Sequence, residues 1–259
     1  MAKTVQDFVE ETLCSAPEPR EHFTLLSRYY NIAVGDSTLI PSIGSQVTPR
    51  SLSSYTAGES GSGIQLWRIM SVAWEKTPLG KRLHVVFYQV RAGSFTAATN
   101  YTEVHGSRQA SSNGERRIAT RLFATDDGST GLPAVGDVFP DDTGILARRC
   151  ESITDDLTSL PGLHFHTIRY MGFVATPYTA TTHSAELSTS RTLRYAGEGV
   201  AAVRRFVSDG AATDIPIRGD LYPGDSGISG KRCILATDAI VPGLGLHIHE
   251  CHYVADVAY

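Results

Sequence analysis

Residues 223–233 read Pro223-Gly-Asp-Ser-Gly-Ile-Ser-Gly-Lys-Arg-Cys233, and 83 positions earlier the chain reads Pro140-Asp-Asp-Thr-Gly-Ile-Leu-Ala-Arg-Arg-Cys150. Proline, aspartate, glycine, isoleucine, arginine and cysteine coincide, while Ser226 falls on Thr143. Taken alone, Gly-Asp-Ser-Gly invites a serine-peptidase reading. Beside its echo it is one instance of a repeated turn. Repetition at a fixed period is the signature of an architecture built from copies, and every other motif has to be read through it.

The offset of 83 runs on in both directions without a gap. Phe95-Thr-Ala-Ala-Thr99 meets Tyr178-Thr-Ala-Thr-Thr182, and Leu132-Pro-Ala-Val-Gly-Asp137 meets Ile215-Pro-Ile-Arg-Gly-Asp220. Gly162-Leu-His-Phe-His166 meets Gly245-Leu-His-Ile-His249. A fainter copy comes before these two. It is marked by Arg28-Tyr-Tyr30, Ile40-Pro-Ser-Ile-Gly44, Gly63-Ile64 with Arg68, and Leu83-His84, set against Leu163-His164. The spacing from Pro41 to Pro133 exceeds that from Gly63 to Gly144 by 11 residues, a surplus assigned to the Ser/Gly-rich run at 51–62. The expected division is an N-terminal arm at 1–20, a divergent β repeat at 21–92, and further repeats at 93–175 and 176–259.

Along the chain, residues 4–14 carry Val5, Phe8, Val9 and Leu13 on one helical stripe, with Thr4 as cap and Pro17 and Pro19 as stops. That pattern predicts a short N-terminal helix. Beyond it the signal is β. Apolar runs at 64–74 and 83–91 read as a hairpin, and strands are expected at 95–104, 117–125, 144–153 and 163–175, with partners 83 higher. The Pro-x-x-Gly-Asp element between them is turn chemistry, because proline fixes φ and glycine permits a positive one. The fold class expected is all-β, a tandem repeat of small sandwich-like or barrel-like units.

Composition sets the outer limits. The 259 residues are 41% hydrophobic and 19% charged, with a net charge of −4. That balance gives no electrostatic footprint for nucleic acid. No apolar run approaches the ~18–20 residues of a transmembrane helix, so membrane insertion is not expected. The first residues lack the apolar core of a signal peptide, so synthesis in the cytoplasm is expected. Of the four cysteines, Cys14, Cys150, Cys233 and Cys251, the middle two are repeat equivalents. They are expected to be reduced thiols buried in the same slot.

Three motifs bear on chemistry. Asp142-Thr-Gly and Asp225-Ser-Gly resemble the paired Asp-Thr/Ser-Gly loops of the retropepsin and pepsin-like peptidases, whose two lobes also arose by duplication. The resemblance implies two carboxylates sharing one proton. The sequence departs from that family in its lead-ins, Phe-Pro-Asp and Tyr-Pro-Gly, and in Tyr253-Val-Ala where an apolar-apolar-Gly element is needed. The first copy has Gly61-Ser-Gly, with no aspartate. Read as turns, Asp142 and Asp225 should each accept hydrogen bonds from nearby backbone N–H groups. Around Ser226, a chymotrypsin-like signature would continue with a second glycine where Ile228 stands. His164-x-His166 and His247-x-His249 each project from one strand face and resemble part of the cupin metal motif. That family's downstream glutamate and glycine-proline elements are missing, and the first copy offers only His84, with Val86 in the second place.

No catalytic, cofactor-binding or metal residues are therefore expected, and no cofactor. The role expected is a non-enzymatic structural or assembly protein. It would be a component of a larger particle such as a tailed-phage virion (tail, neck or capsid-associated), incorporated there as part of a homo-oligomer or multi-protein assembly. The alternatives are an aspartic-type peptidase using Asp142 and Asp225, or a carbohydrate-binding or adhesive β module.

Overall fold

A computed structural model of the chain describes residues 9–10, 18–31, 42–47, 63–78, 80–97, 100–126, 131–156, 160–188, 192–196 and 199–255. Cys14 and the run 51–62 lie outside the described residues. Apart from a short 3-10 turn at Gly63–Gln65, the elements described are strands. The first six are β1 (Val9–Glu10), β2 (Glu18–Pro19), β3 (Phe23–Asn31), β4 (Gln46–Val47), β5 (Trp67–Thr77) and β6 (Gly80–Val90). The next six are β7 (Ala92–Ala97), β8 (Tyr101–Val104), β9 (Gln109–Asn113), β10 (Arg116–Thr125), β11 (Arg149–Asp156) and β12 (His164–Phe173). The last six are β13 (Ala175–Ala180), β14 (Ser184–Leu187), β15 (Thr192–Ala196), β16 (Gly199–Ser208), β17 (Arg232–Val241) and β18 (Leu246–Ala255).

They form three antiparallel sheets of six strands. The orders are β1-β3-β6-β5-β4 with β2 on β3, β7-β8-β10-β12-β11 with β9 on β10, and β13-β14-β16-β18-β17 with β15 on β16. Register follows the sequence echo. Phe123 faces Glu103 as Phe206 faces Glu186, and Ile118 faces Ser111 as Ala201 faces Arg194. An isolated bridge joins Val138 to Arg149, and another joins Leu221 to Arg232. In the first sheet, Tyr30 faces Glu10, Leu25 faces Glu18 and Gln46 faces Arg68. The irregularity between Ile69 and Ser71 in β5 has its counterpart between Cys233 and Leu235 in β17.

Several expectations need correction. The helix at 4–14 has no counterpart at the two of its residues that are described. Val9 and Glu10 pair with Asn31 and Tyr30 as strand β1. A stripe at 5, 8, 9 and 13 suits a helix, but pairing to a distant strand overrides local periodicity. The strand expected at 95–104 is two, β7 and β8, and the one expected from 144 begins only at Arg149 because 144–148 is a turn. The echo of Leu83 with Leu163 is three residues out. Leu83 faces Tyr30 as His249 faces Phe206, so Leu83 corresponds to His249 and, 83 earlier, to His166. Two of the three residues arise at the hairpin end, where Thr77 pairs Gly80 but Val241 pairs Leu246.

The chain forms two compact units. The first is Met1–Arg108, Arg121–Leu132 and Thr154–Ile168, and the second is Gln109–Thr120, Pro133–Ile153 and Arg169–Tyr259. In the first unit, Leu83, Val85 and Phe87 alternate onto one face of β6 and pack with Leu26, Trp67 and Ile69, as the two-residue period of a strand requires. Its second cluster joins Ile64, Tyr88 and Val90 to Val104, Ala124, Leu163 and Phe165. In the second unit, Ile145, Met171 and Phe173 pack on Ala185, Leu187, Val207, Leu244 and Leu246. A further group there is Ala202, Phe206, Cys233, Cys251 and Tyr253.

Candidate functional site

Asp142 and Asp225 are built into matching corners. Phe139 and Tyr222 donate their N–H groups to the carbonyls of Arg148 and Lys231 at 2.7 and 2.8 Å, which closes a loop around each aspartate. The Asp142 carboxylate accepts the Arg148 N–H at 2.8 Å and the guanidinium at 2.7 and 2.9 Å. Asp225 accepts the Lys231 N–H at 2.7 Å and the ammonium at 3.1 Å. In each corner the cation also lies over the loop's aromatic ring, Arg148 over Phe139 and Lys231 over Tyr222. The residue before each aspartate has positive φ, Asp141 at 72° and Gly224 at 89°. Glycine takes that conformation without steric cost, and aspartate is among the few other residues that tolerate it.

Electrostatics follow from this geometry. The Arg148 hydrogen bonds hold Asp142 below the usual carboxylate range, and those from Lys231 do the same for Asp225. A proton-sharing dyad requires one carboxylate pushed up by the other. Here both are pulled down by cations of their own loops, and no hydrogen bond joins them among the described residues. Ser226 and Thr143 are exposed at the tips of these corners.

The histidine pairs are held by neighbouring polar side chains. His166 donates from Nδ1 to Asp155 at 2.6 Å and accepts at Nε2 from the Thr125 hydroxyl at 2.8 Å. In the last sheet, His249 Nε2 shares a hydrogen bond with the Ser208 hydroxyl at 2.7 Å, with Asp238 3.7 Å from Nδ1. His247 Nδ1 shares that aspartate at 3.0 Å. Carboxylate, imidazole and hydroxyl in a row is the connectivity of a catalytic triad, and it joins groups too far apart in sequence for spacing to predict. Yet Thr125 and Ser208 are each 1% exposed, so no substrate reaches either oxygen. The rows act as polar braces across neighbouring strands. Burial, the leading cause, lowers the pKa of His249. No group of three or more potential ligands suited to a metal occurs among the described residues.

Two buried glutamates, each paired with arginine, occupy matching positions. Glu103 accepts Arg108 Nε at 2.6 Å and Arg121 Nη2 at 2.7 Å, and Glu186 accepts Arg204 at 3.0 and 2.7 Å. Burial alone would raise Glu103, but the hydrogen bonds from the two arginines outweigh it and hold it low. Cys150, Cys233 and Cys251 are free and buried, and desolvation raises all three thiols, Cys251 to about 12.

The corner tips carry the sharpest contrast in the molecule. Ile64, Ile145 and Ile228 follow Gly63, Gly144 and Gly227 and precede Arg68, Arg149 and Arg232 at the same interval. In the first unit Ile64 is fully buried against Val104, Ala124, Leu163 and Phe165. In the second unit Ile145 is 5% exposed and lies against Leu187, Val207 and Leu246, with Ile248 beside them. Those residues stand 83 positions after Val104, Ala124, Leu163 and Phe165. Ile228 is 97% exposed. Beside Ile145 a pocket of about 440 Å³ is lined by Asp142, Thr143, Arg149, His183 and Asp209. There Asp209 is engaged by His183 at 2.8 Å.

Comparison with protein-family models, with curated proteins and with solved structures returns no match to this chain.

Proposed function

We propose that the chain is a non-enzymatic assembly protein made of three copies of one β unit, the first divergent, at about 21–92, 93–175 and 176–259. The short strand β1 extends the first copy back into the supposed arm. The first and second copies each lay a sheet face on their successor, sandwich fashion, and insert an isoleucine from their corner into that successor's sheet. One observation carries the reading: the docking of Ile64 in the first unit and of Ile145 in the second uses partner residues 83 positions apart. A surface that repeats its mode of docking within one chain is a surface for docking. Each buried isoleucine contributes about 1.5–3 kcal/mol by removal from water, which suits a rigid spacer.

The setting we propose is a virion, with the chain as a tail, neck or capsid-associated component among other structural subunits. The test is copy number. Quantitative mass spectrometry of purified particles from the native source should find the chain at a fixed stoichiometry to the major structural subunit. Its absence from particles, with peptidase activity lost in Asp142→Asn, would favour the peptidase reading instead.

A further inference from the structure

We infer that the third copy carries a docking surface for a β-sheet face of a different protein, one offering a four-residue apolar socket with a carboxylate at its rim. The inference rests on the docking reading above and names the partner's chemistry. Its evidence is the fate of equivalent residues. Ile64 and Ile145 are buried in sockets, whereas Ile228 projects at 97% exposure. Met70 packs in the first junction, and its counterpart Ile234 is 52% exposed. Gly44 backs onto Gly162, and Gly136 approaches the Gly243 carbonyl, but Gly219 meets nothing within 4 Å. Arg68 is buried, with Asp126 among the charges acting on it, and Arg149 lines a pocket together with Asp209. Arg232, the third of the series, is exposed.

The two internal junctions specify the missing half. Their sockets are Val104, Ala124, Leu163 and Phe165 in one case, and Leu187, Val207, Leu246 and Ile248 in the other. Asp126 stands two residues after Ala124, as Asp209 does after Val207. The chain's own first copy does not supply such a face. By register three of the four socket positions there fall to Asn31, Gly80 and Arg82, and in sequence the fourth falls to Glu11, with Ala33 where the aspartate belongs. Arg82 is held by Glu75 at 2.9 Å and lies over Tyr29, which stacks on His84. A second copy stacked head to tail would press Ile228 onto that polar cap, so the occupant is another chain. A bare isoleucine knob facing an apolar socket gains from burial, and the rim carboxylate gives Arg232, which otherwise donates to the Gly219 and Gly227 carbonyls at 3.1 and 3.5 Å, a charged partner.

The test installs the socket where it is absent. A full-length variant carrying Glu11→Leu, Asn31→Val, Ala33→Asp, Gly80→Leu and Arg82→Phe is followed by sedimentation over a wide concentration range, with circular dichroism to check folding. Wild type is expected to stay monomeric. The variant is expected to form concentration-dependent oligomers that revert to monomer when Ile228→Asp is added. A folded variant that remains monomeric at every concentration would overturn the proposal. So would Ile228-dependent self-association of wild type, a readout that stands even if the variant does not fold. Neither result touches the particle copy number that tests the assembly reading.

Discussion

Ile145 and Ile228 occupy the same place in the same corner, preceded by the same glycine, and one is 5% exposed while the other is 97% exposed. The corners around them match in their aspartate, their lysine or arginine clasp and their aromatic neighbour. Local sequence therefore builds the corner but does not decide what it is for. The third sheet decides that for Ile145, and among the described residues no further sheet covers Ile228. A feature that is core at one corner is surface at another.

The largest expected effect attacks this contrast directly. Ile64→Ala and Ile145→Ala should each lose about 2–5 kcal/mol, the usual cost of truncating a buried isoleucine. Ile228→Ala should stay within about 0.5 kcal/mol of wild type in the free chain, as surface changes do. Thermal melts of the three variants decide it, and equal losses at 145 and 228 would erase the contrast.

The corners sharpen it next. Asp142 holds a two-pronged arginine and a backbone N–H with 10% of its side chain exposed, whereas Asp225 holds a lysine and is 21% exposed. Asp142→Asn should cost about 1.5–3 kcal/mol, as hydrogen bonds to charged groups do. Asp225→Asn should cost at most about 1 kcal/mol, because water screens its pair. The double mutant should show the sum if the corners act independently. Strong coupling between them would revive the peptidase reading.

Acid gives a smaller effect of known sign. Both aspartates are lowered from the ordinary value of 3.8. Their stabilisation is therefore complete above that value and is lost as pH falls through their folded values. His249 is lowered from 6.5 by burial, so the unfolded chain binds its proton first. Its contribution is full above 6.5 and declines as pH falls below it. Melting temperature against pH should thus decline in two stages, and Asp142→Asn should flatten the lower one more than Asp225→Asn.

Much of this was legible in sequence because the segments 95–175 and 178–258 keep one length: the offset of 83 locates matching corners and matching cysteines without any structural input. The hidden parts depend on pairing across the chain. Glu10 sits in a segment whose apolar stripe suits a helix, and only its position opposite Tyr30 shows that it stands where Glu103 and Glu186 stand. The His166–Asp155 and His249–Ser208 contacts join residues on different strands, and no local spacing foretells them. Exposure at Ile228 is decided by sheet packing far from the corner itself, and an isoleucine repeated at 64, 145 and 228 looks alike in all three places.

The most direct test of the central claim replaces each of those isoleucines in turn by cysteine and measures native thiol modification, resolved by site with mass spectrometry. The thiols at 64 and 145 should be protected to the same degree as native Cys150 and Cys233, and the thiol at 228 should react as fast as in the unfolded chain. Comparable rates at 145 and 228 would contradict the account.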